Sequence, residues 1–203
     1  MVQVEKQHYY EGYDSEYRFI TYWHQIEPIL KNKSIKSVIE VGTGNGFVAD
    51  YLKKLNYDVK TVDFAADLNP DYILNIVWDE LPIADCTICC EVLEHLEWYN
   101  VSFALENIRS KHAIISVPQY CIQFNLGLRF NAILARFFKV LSFNLPYFFT
   151  KPKFSGEHHW GLGQWGTSKR KFEKKIRDAD WEIVERFSPR MYQDIVYYVL
   201  IRK

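Results

Sequence analysis

A chain of 203 residues is long enough to bury a sizeable core, and a single domain over residues 1–203 is expected. Lysine plus arginine (25) equals aspartate plus glutamate (25), a balance that offers no general attraction to nucleic acid, so no nucleic-acid partner is expected. The opening residues lack the apolar core of a signal peptide, and no uncharged apolar run reaches about 18 residues, which predicts a cytoplasmic protein.

Residues 1–15 are polar and aromatic without a clear period. A helix is predicted over 15–31, with Ser15 as its cap and Phe19, Ile20, Trp23, Ile26, Ile29 and Leu30 at helical spacing. Residues 37–52 then read SVIEVGTGNGFVADYL, and the rest of the chain is organised around them. Val38, Ile39 and Val41 make the short apolar run of a buried parallel strand. Gly42, Gly44 and Gly46 follow at alternate positions, and a helix opens at Phe47 and ends near Asn56, a residue tolerant of a left-handed cap. Bare backbone leading into a helix N-terminus suits a close-bound ligand. The spacing is G-x-G-x-G, not the G-x-G-x-x-G of the dinucleotide fingerprint, and Glu40 precedes the first glycine. A pyrophosphate beside Glu40 would be repelled and a cationic amino-acid end attracted, which favours S-adenosylmethionine (SAM) over NAD.

A second strand, residues 59–62, ends at Asp63, where a carboxylate can bond both hydroxyls of a ribose. Asn69-Pro70-Asp71 is a turn, residues 72–74 a short third strand, and residues 86–90 an apolar fourth strand running into Glu91-Val92-Leu93-Glu94-His95. Three of the four cysteines fall in that fourth strand, where alternation sends Cys89 and Cys90 to opposite faces. Cys86-x-x-Cys89 has no second pair, so buried reduced thiols are expected in place of zinc or redox chemistry. A helix over 98–110 and a strand over 113–117 stopped by Pro118 follow.

The stretches VIEVGTGNG, TVDFAADLNPDYILNIVWDELPIADCTICCEVLEHL and ISVPQ resemble motifs of class I SAM-dependent methyltransferases, the small-molecule, type 11-like kind with an EVLEH signature. The resemblance covers residues 37–118 well and 168–202 loosely. It implies a doubly wound α/β fold with a seven-stranded, mostly parallel sheet, an N-terminal cap over residues 1–34, and SAM as cofactor. It implies cofactor contacts for Glu40, Gly42, Thr43, Gly44, Asp63 and Glu91, with Phe64 against the adenine face and Ile76 beside the ring. Asn75 stands where relatives often carry aspartate for the adenine amino group, and its amide oxygen keeps an acceptor there. Arg18 and Tyr13 of the cap are placed to meet the methionine carboxylate.

Residues 119–165 form an expected helical lid after the fifth strand. Arg129, Arg136 and Lys139, with Leu126, Phe130, Ile133, Leu134, Phe137, Phe138 and Leu141 between them, are expected to make an amphipathic helix. Three meanings compete: a lid over the acceptor pocket, a partner surface, or a helix in a membrane interface serving a lipid-like acceptor. A polar loop, residues 156–161, a helix over 168–179 capped by Ser168, and strands over 182–187 and 194–202 close the chain, the final strand antiparallel as the family has it.

Methyl transfer asks a protein to hold the acceptor close and dry, and to take a proton where the acceptor is a hydroxyl or amine. His95, His158 and His159 are the expected catalytic residues. The histidine pair with His95 and Glu91 matches no known ligand spacing, so no metal is assigned. The expected activity is methyl transfer from SAM to the oxygen or nitrogen of a small or lipid-like acceptor by a monomer or homodimer with a possible peripheral membrane contact. The alternative is a non-catalytic module engaging a partner through residues 122–149.

Overall fold

The computed structural model describes Tyr13 and residues 15–128, 139–147, 149–154, 157–189 and 192–203. Strands β1 (Ser37–Val41), β2 (Asp58–Asp63), β3 (Tyr72–Ile73), β4 (Cys86–Cys90), β5 (His112–Pro118), β8 (Trp181–Phe187) and β9 (Ile195–Arg202) form one sheet in the order β3-β2-β1-β4-β5-β9-β8. Pairings from β3 to β5 are parallel, and β9 runs antiparallel to both neighbours. Two further strands, β6 (Cys121–Leu128) and β7 (Lys139–Pro146), form a separate two-stranded sheet among the described residues.

The parallel strands are apolar because helices cover both faces. On one side α1 (Glu16–Lys31) and α2 (Phe47–Lys54) bring Tyr22, Ile26, Ile29, Val48 and Leu52 against Val38, Ile88 and Ile114. On the other, α3 (Val101–Asn107) and α4 (Lys169–Asp178) bring Leu105, Phe172 and Ile176 against Ile39, Cys89 and Ile115. The cysteines divide as alternation requires: Cys86 and Cys90 join the first cluster and Cys89 the second, so the CxxC pair cannot meet on one face. Ser15 and Ser168 cap their helices, accepting from the N–H groups of Arg18 and Lys171. Asn56 adopts φ 65°, the left-handed turn expected after α2. Helix α3 is shorter than the sequence period suggests, because residues 98–100 form the turn that leads into it.

The amphipathic helix expected after β5 is corrected by the fold: its described parts are β6 and β7, and residues 129–138 lie outside the described residues, as do 1–12 and Gly156. The register explains why. Ile122 faces Leu145, Phe124 faces Phe143 and Leu126 faces Leu141, so every second residue pairs apolar with apolar across an antiparallel ladder. Apolar residues at 122, 126 and 130 also satisfy a helical period, but those at 122, 124 and 126 satisfy the strand period, and cross-strand pairing decides between them. Among the described residues no helix is long and apolar enough to cross a membrane.

Candidate functional site

Where β1 turns outward to β2 on one side and β4 lies on the other, the order of the sheet reverses, and a crevice must open beyond the strand ends. A cavity of about 240 Å³ lies there. Its floor is the turn after β1. Gly42 (φ 82°), Gly44 (φ 52°) and Gly46 (φ 76°) all adopt left-handed backbone. At Gly42 a Cβ would also stand 2.6 Å from Cγ2 of Val92, so this position excludes a side chain twice over. Asn45 holds the far side of the turn: its amide donates to the Tyr22 hydroxyl at 3.0 Å, and its Oδ1 accepts the Phe47 N–H at 3.1 Å. Helix α1 is thereby fastened over the cavity.

Two carboxylates frame the floor. Asp63, at the end of β2, accepts the Thr43 N–H at 2.9 Å through Oδ2 and the Ala65 N–H at 3.0 Å through Oδ1. Each oxygen keeps a further lone pair for a ligand. Burial raises its pKa, and the backbone N–H groups oppose that rise. Glu40, at the end of β1, is buried with Oε2 unpaired, and burial pushes its carboxyl up to about 8. Thr43 Oγ1 is likewise buried without a partner.

Phe64, Leu74, Ile76, Arg18 and Tyr13 also line the cavity. The Arg18 guanidinium lies 4.2 Å from the centre of the Tyr13 ring, a cation–π contact that holds it in place. Asn75 stands outside this lining. Its Oδ1 accepts the Val77 N–H at 3.0 Å and its own N–H donates to Asp79, so it shapes the turn that presents Ile76.

Glu91 follows β4 at φ 55°, a conformation costly for a residue with a side chain and concentrated at functional sites. The Ser116 hydroxyl donates to its Oε1 at 2.8 Å, and burial pushes its carboxyl up to about 7. Four residues on, His95 turns its Nδ1 to the carbonyl of Glu157 at 2.9 Å. A carbonyl only accepts, so Nδ1 carries the hydrogen and Nε2 keeps a lone pair. The His158 ring meets it edge-on at 4.9 Å between centroids. Burial lowers the pKa of both imidazoles.

Of the three expected catalytic histidines the fold brings His95 and His158 to the cavity and sends His159 elsewhere, with its Nδ1 3.2 Å from Glu97. A second cavity, about 390 Å³, opens beside the first and shares Arg18, Glu91 and His158 with it. Pro118, Tyr120, Cys121 and Tyr147, from the end of β5 and the residues at the base of the β6–β7 ladder, line it. Sequence reasoning missed Tyr22, Asn45 and Glu157 in the first cavity and Tyr17 and Asp194 in the second. The Asn45-Gly46 turn was a usable signal, whereas the others are recruited across long stretches of chain.

No family model and no curated protein matches the chain in sequence. Solved structures do match it in shape. A SAM-dependent methyltransferase from Clostridium acetobutylicum superposes with a TM-score of 0.65 at 11% identity, covering 97% of this chain and 98% of that one. The N-methyltransferase NodS from Bradyrhizobium japonicum, solved with S-adenosylhomocysteine, gives 0.59 at 10% identity over 93% and 89% of the two chains. The CcbJ methyltransferase from Streptomyces caelestis gives 0.58 at 11% identity over 90% and 95%. The likeness is one of architecture, and the chain has the fold of class I SAM-dependent methyltransferases.

Proposed function

We propose that the chain is a SAM-dependent methyltransferase, one domain over 1–203, acting in the cytoplasm on the oxygen or nitrogen of a small or lipid-like acceptor. The observation that carries this reading is the crevice at the β1–β4 switch point, where Asp63 and Glu40 flank a turn that no side chain at Gly42 could share. The polar groups fit the cofactor's ends. Asp63 suits the ribose hydroxyls, and Phe64 and Ile76 suit the adenine. Glu40, Arg18 and the unpaired Thr43 hydroxyl suit the amino and carboxyl groups of the methionine end.

When bound, SAM supplies a methyl group on a sulfonium, whose leaving group departs neutral. The protein's own part is to align the acceptor and exclude water. Glu91 and Arg18 stand where the two cavities join, and His158 stands with them, so an acceptor in the outer cavity would meet the cofactor's methyl beside these side chains. With lowered pKa values, His95 and His158 are neutral at pH 7 and able to accept a proton from a hydroxyl or ammonium. The exposed side chains of Ile122, Phe124 and Leu126 on β6 favour an apolar portion in the acceptor, and offer the surface for a peripheral membrane contact.

Calorimetry with S-adenosylhomocysteine tests the cofactor, and mass spectrometry of products from a panel of phenols, amines and acyl lipids tests the acceptor. Binding at micromolar concentrations with a mass gain of one methyl group supports the reading. No binding, with Asp63→Ala indistinguishable from wild type, ends it. A scaffold without turnover would bind the cofactor and methylate nothing in the panel.

A further inference from the structure

We propose that Glu94, His95 and His158 form a site for one divalent transition-metal ion where the two cavities meet. One ligand atom from each of the three lies within 4.8 Å of the others. In a filled site of this donor type neighbouring ligand atoms stand about 3.3 Å apart, so the three need to close by at most about 1.5 Å.

Glu94 is the observation that asks for an ion. It is fully buried, and neither carboxylate oxygen has a hydrogen-bond partner. A buried carboxyl left without partners is costly, and such groups are retained where something else pairs with them. His95 supplies the second: its Nδ1–H is given to the Glu157 carbonyl, the outer bond by which metal-binding imidazoles are usually oriented, and the other nitrogen is left to bind. The two ligand-bearing segments are already joined. The Glu94 carbonyl accepts the His159 N–H at 2.8 Å, and the Leu96 carbonyl accepts the Trp160 indole N–H at 3.0 Å, so His158 is held beside Glu94 and His95 by its own neighbours.

One carboxylate and two imidazoles suit zinc, manganese or iron more than calcium or magnesium, which prefer oxygen donors throughout. Arg18 opposes a cation here, and Glu91 and Glu157 favour one. His95 lines the first cavity and His158 lines both, so water or an oxygen of the acceptor can reach an ion held there. That last step rests on the methyltransferase reading and narrows the acceptor to one with a hydroxyl or carboxyl oxygen. The ion site does not depend on it, and an ion there would take the lone pairs of His95 and His158 that otherwise accept a proton.

The experiment uses the full chain stripped with a chelator and titrated calorimetrically with Zn²⁺ or Mn²⁺ alone, with Co²⁺ absorption to report coordination by nitrogen and oxygen. One equivalent of tight binding is expected. His158→Ala and Glu94→Gln should each weaken it by about 100-fold or more, since losing even an outer partner of a ligand costs about 10- to 100-fold. His112→Ala, at the opposite end of β5, should leave it unchanged. Circular dichroism confirms that each variant is folded, and His158, in a half-buried loop, is the one least tied to folding. No stoichiometric binding, or binding equal in wild type and His158→Ala, overturns the proposal and leaves Glu94 a neutral buried acid. S-adenosylhomocysteine is titrated separately: its failure to bind would sink the methyltransferase reading and leave the metal result standing.

Discussion

The Asp63 carboxylate accepts the backbone N–H of Thr43 at 2.9 Å, so the end of β2 holds the shape of the turn that leaves β1, twenty residues earlier in the chain. One side chain therefore serves two purposes, bracing the floor of the cavity and offering its remaining lone pairs to a ribose.

Asp63→Ala removes both, and affinity for S-adenosylhomocysteine is expected to fall by about 100-fold or more. Stability should fall by about 1–3 kcal/mol, because the Thr43 and Ala65 N–H groups lose a buried acceptor. Calorimetry and chemical denaturation measure the two effects independently.

Gly42→Ala meets two obstacles, φ of 82° and the Val92 methyl 2.6 Å from the new Cβ. Loss of binding with a destabilisation of about 1–3 kcal/mol is expected. Adding Val92→Ala relieves the contact and leaves the backbone strain, so the double variant should recover part of the stability. Full recovery would show that the left-handed backbone at 42 costs nothing.

Glu40 carries a pH dependence whose sign follows from burial. Its folded pKa, about 8, exceeds the ordinary 4.5, so the folded state holds the proton more tightly than the unfolded one. Its contribution is complete below the unfolded value and is lost as pH rises through about 8. Glu40→Gln should flatten the fall of Tm over that window and raise stability at pH 8 by a few kcal/mol as an order of magnitude. Glu91, pushed up to about 7, adds a slope of the same sign, so the variant reduces the dependence without abolishing it. A ligand ammonium beside Glu40 would favour its charged form, so binding at pH 7 should release a proton. Calorimetry in buffers of different ionisation enthalpy reads that release.

Phe124 and Leu126 are 58% and 64% exposed, and their replacement by serine should leave cofactor affinity within error while costing only their cross-strand pairs, about 0.2–1 kcal/mol each. Catalytic efficiency on acceptors with an apolar tail should fall several-fold, and on short polar acceptors stay level. An equal loss on both would detach the β6–β7 ladder from acceptor choice.

The expected sheet emerged with its strands in place and β9 antiparallel, because β1, β4 and β5 each announce themselves through a few consecutive apolar residues, with Gly42 marking the end of β1 and Pro118 the end of β5. The residues around Gly42 were equally readable, since a turn that must leave room for a ligand is written in adjacent letters. The described parts of the segment after Pro118 are strands where a helix was expected: the apolar residues fit both periods, and the choice was made by Ile122, Phe124 and Leu126 finding partners on a strand some twenty residues away.

The catalytic end of the site divides along the same line. Glu91 was found from the sequence because it follows a strand end directly, and His95 because it lies four residues beyond Glu91 in the same motif. Adjacency made His158 and His159 equals, and the fold separates them, one turned to the cavities and the other to Glu97. Glu94, read in the sequence as one letter of a motif, acquires its neighbour His158 across 64 positions through the His159 and Trp160 hydrogen bonds. Local spacing is enough to specify a strand, a bare turn and the carboxylate beside it, since those depend on backbone conformation and near neighbours. Which distant side chains meet, and which of two adjacent histidines faces the cavity, depends on how the loops close over the sheet, and that is set by packing and hydrogen bonds no single stretch of the chain contains.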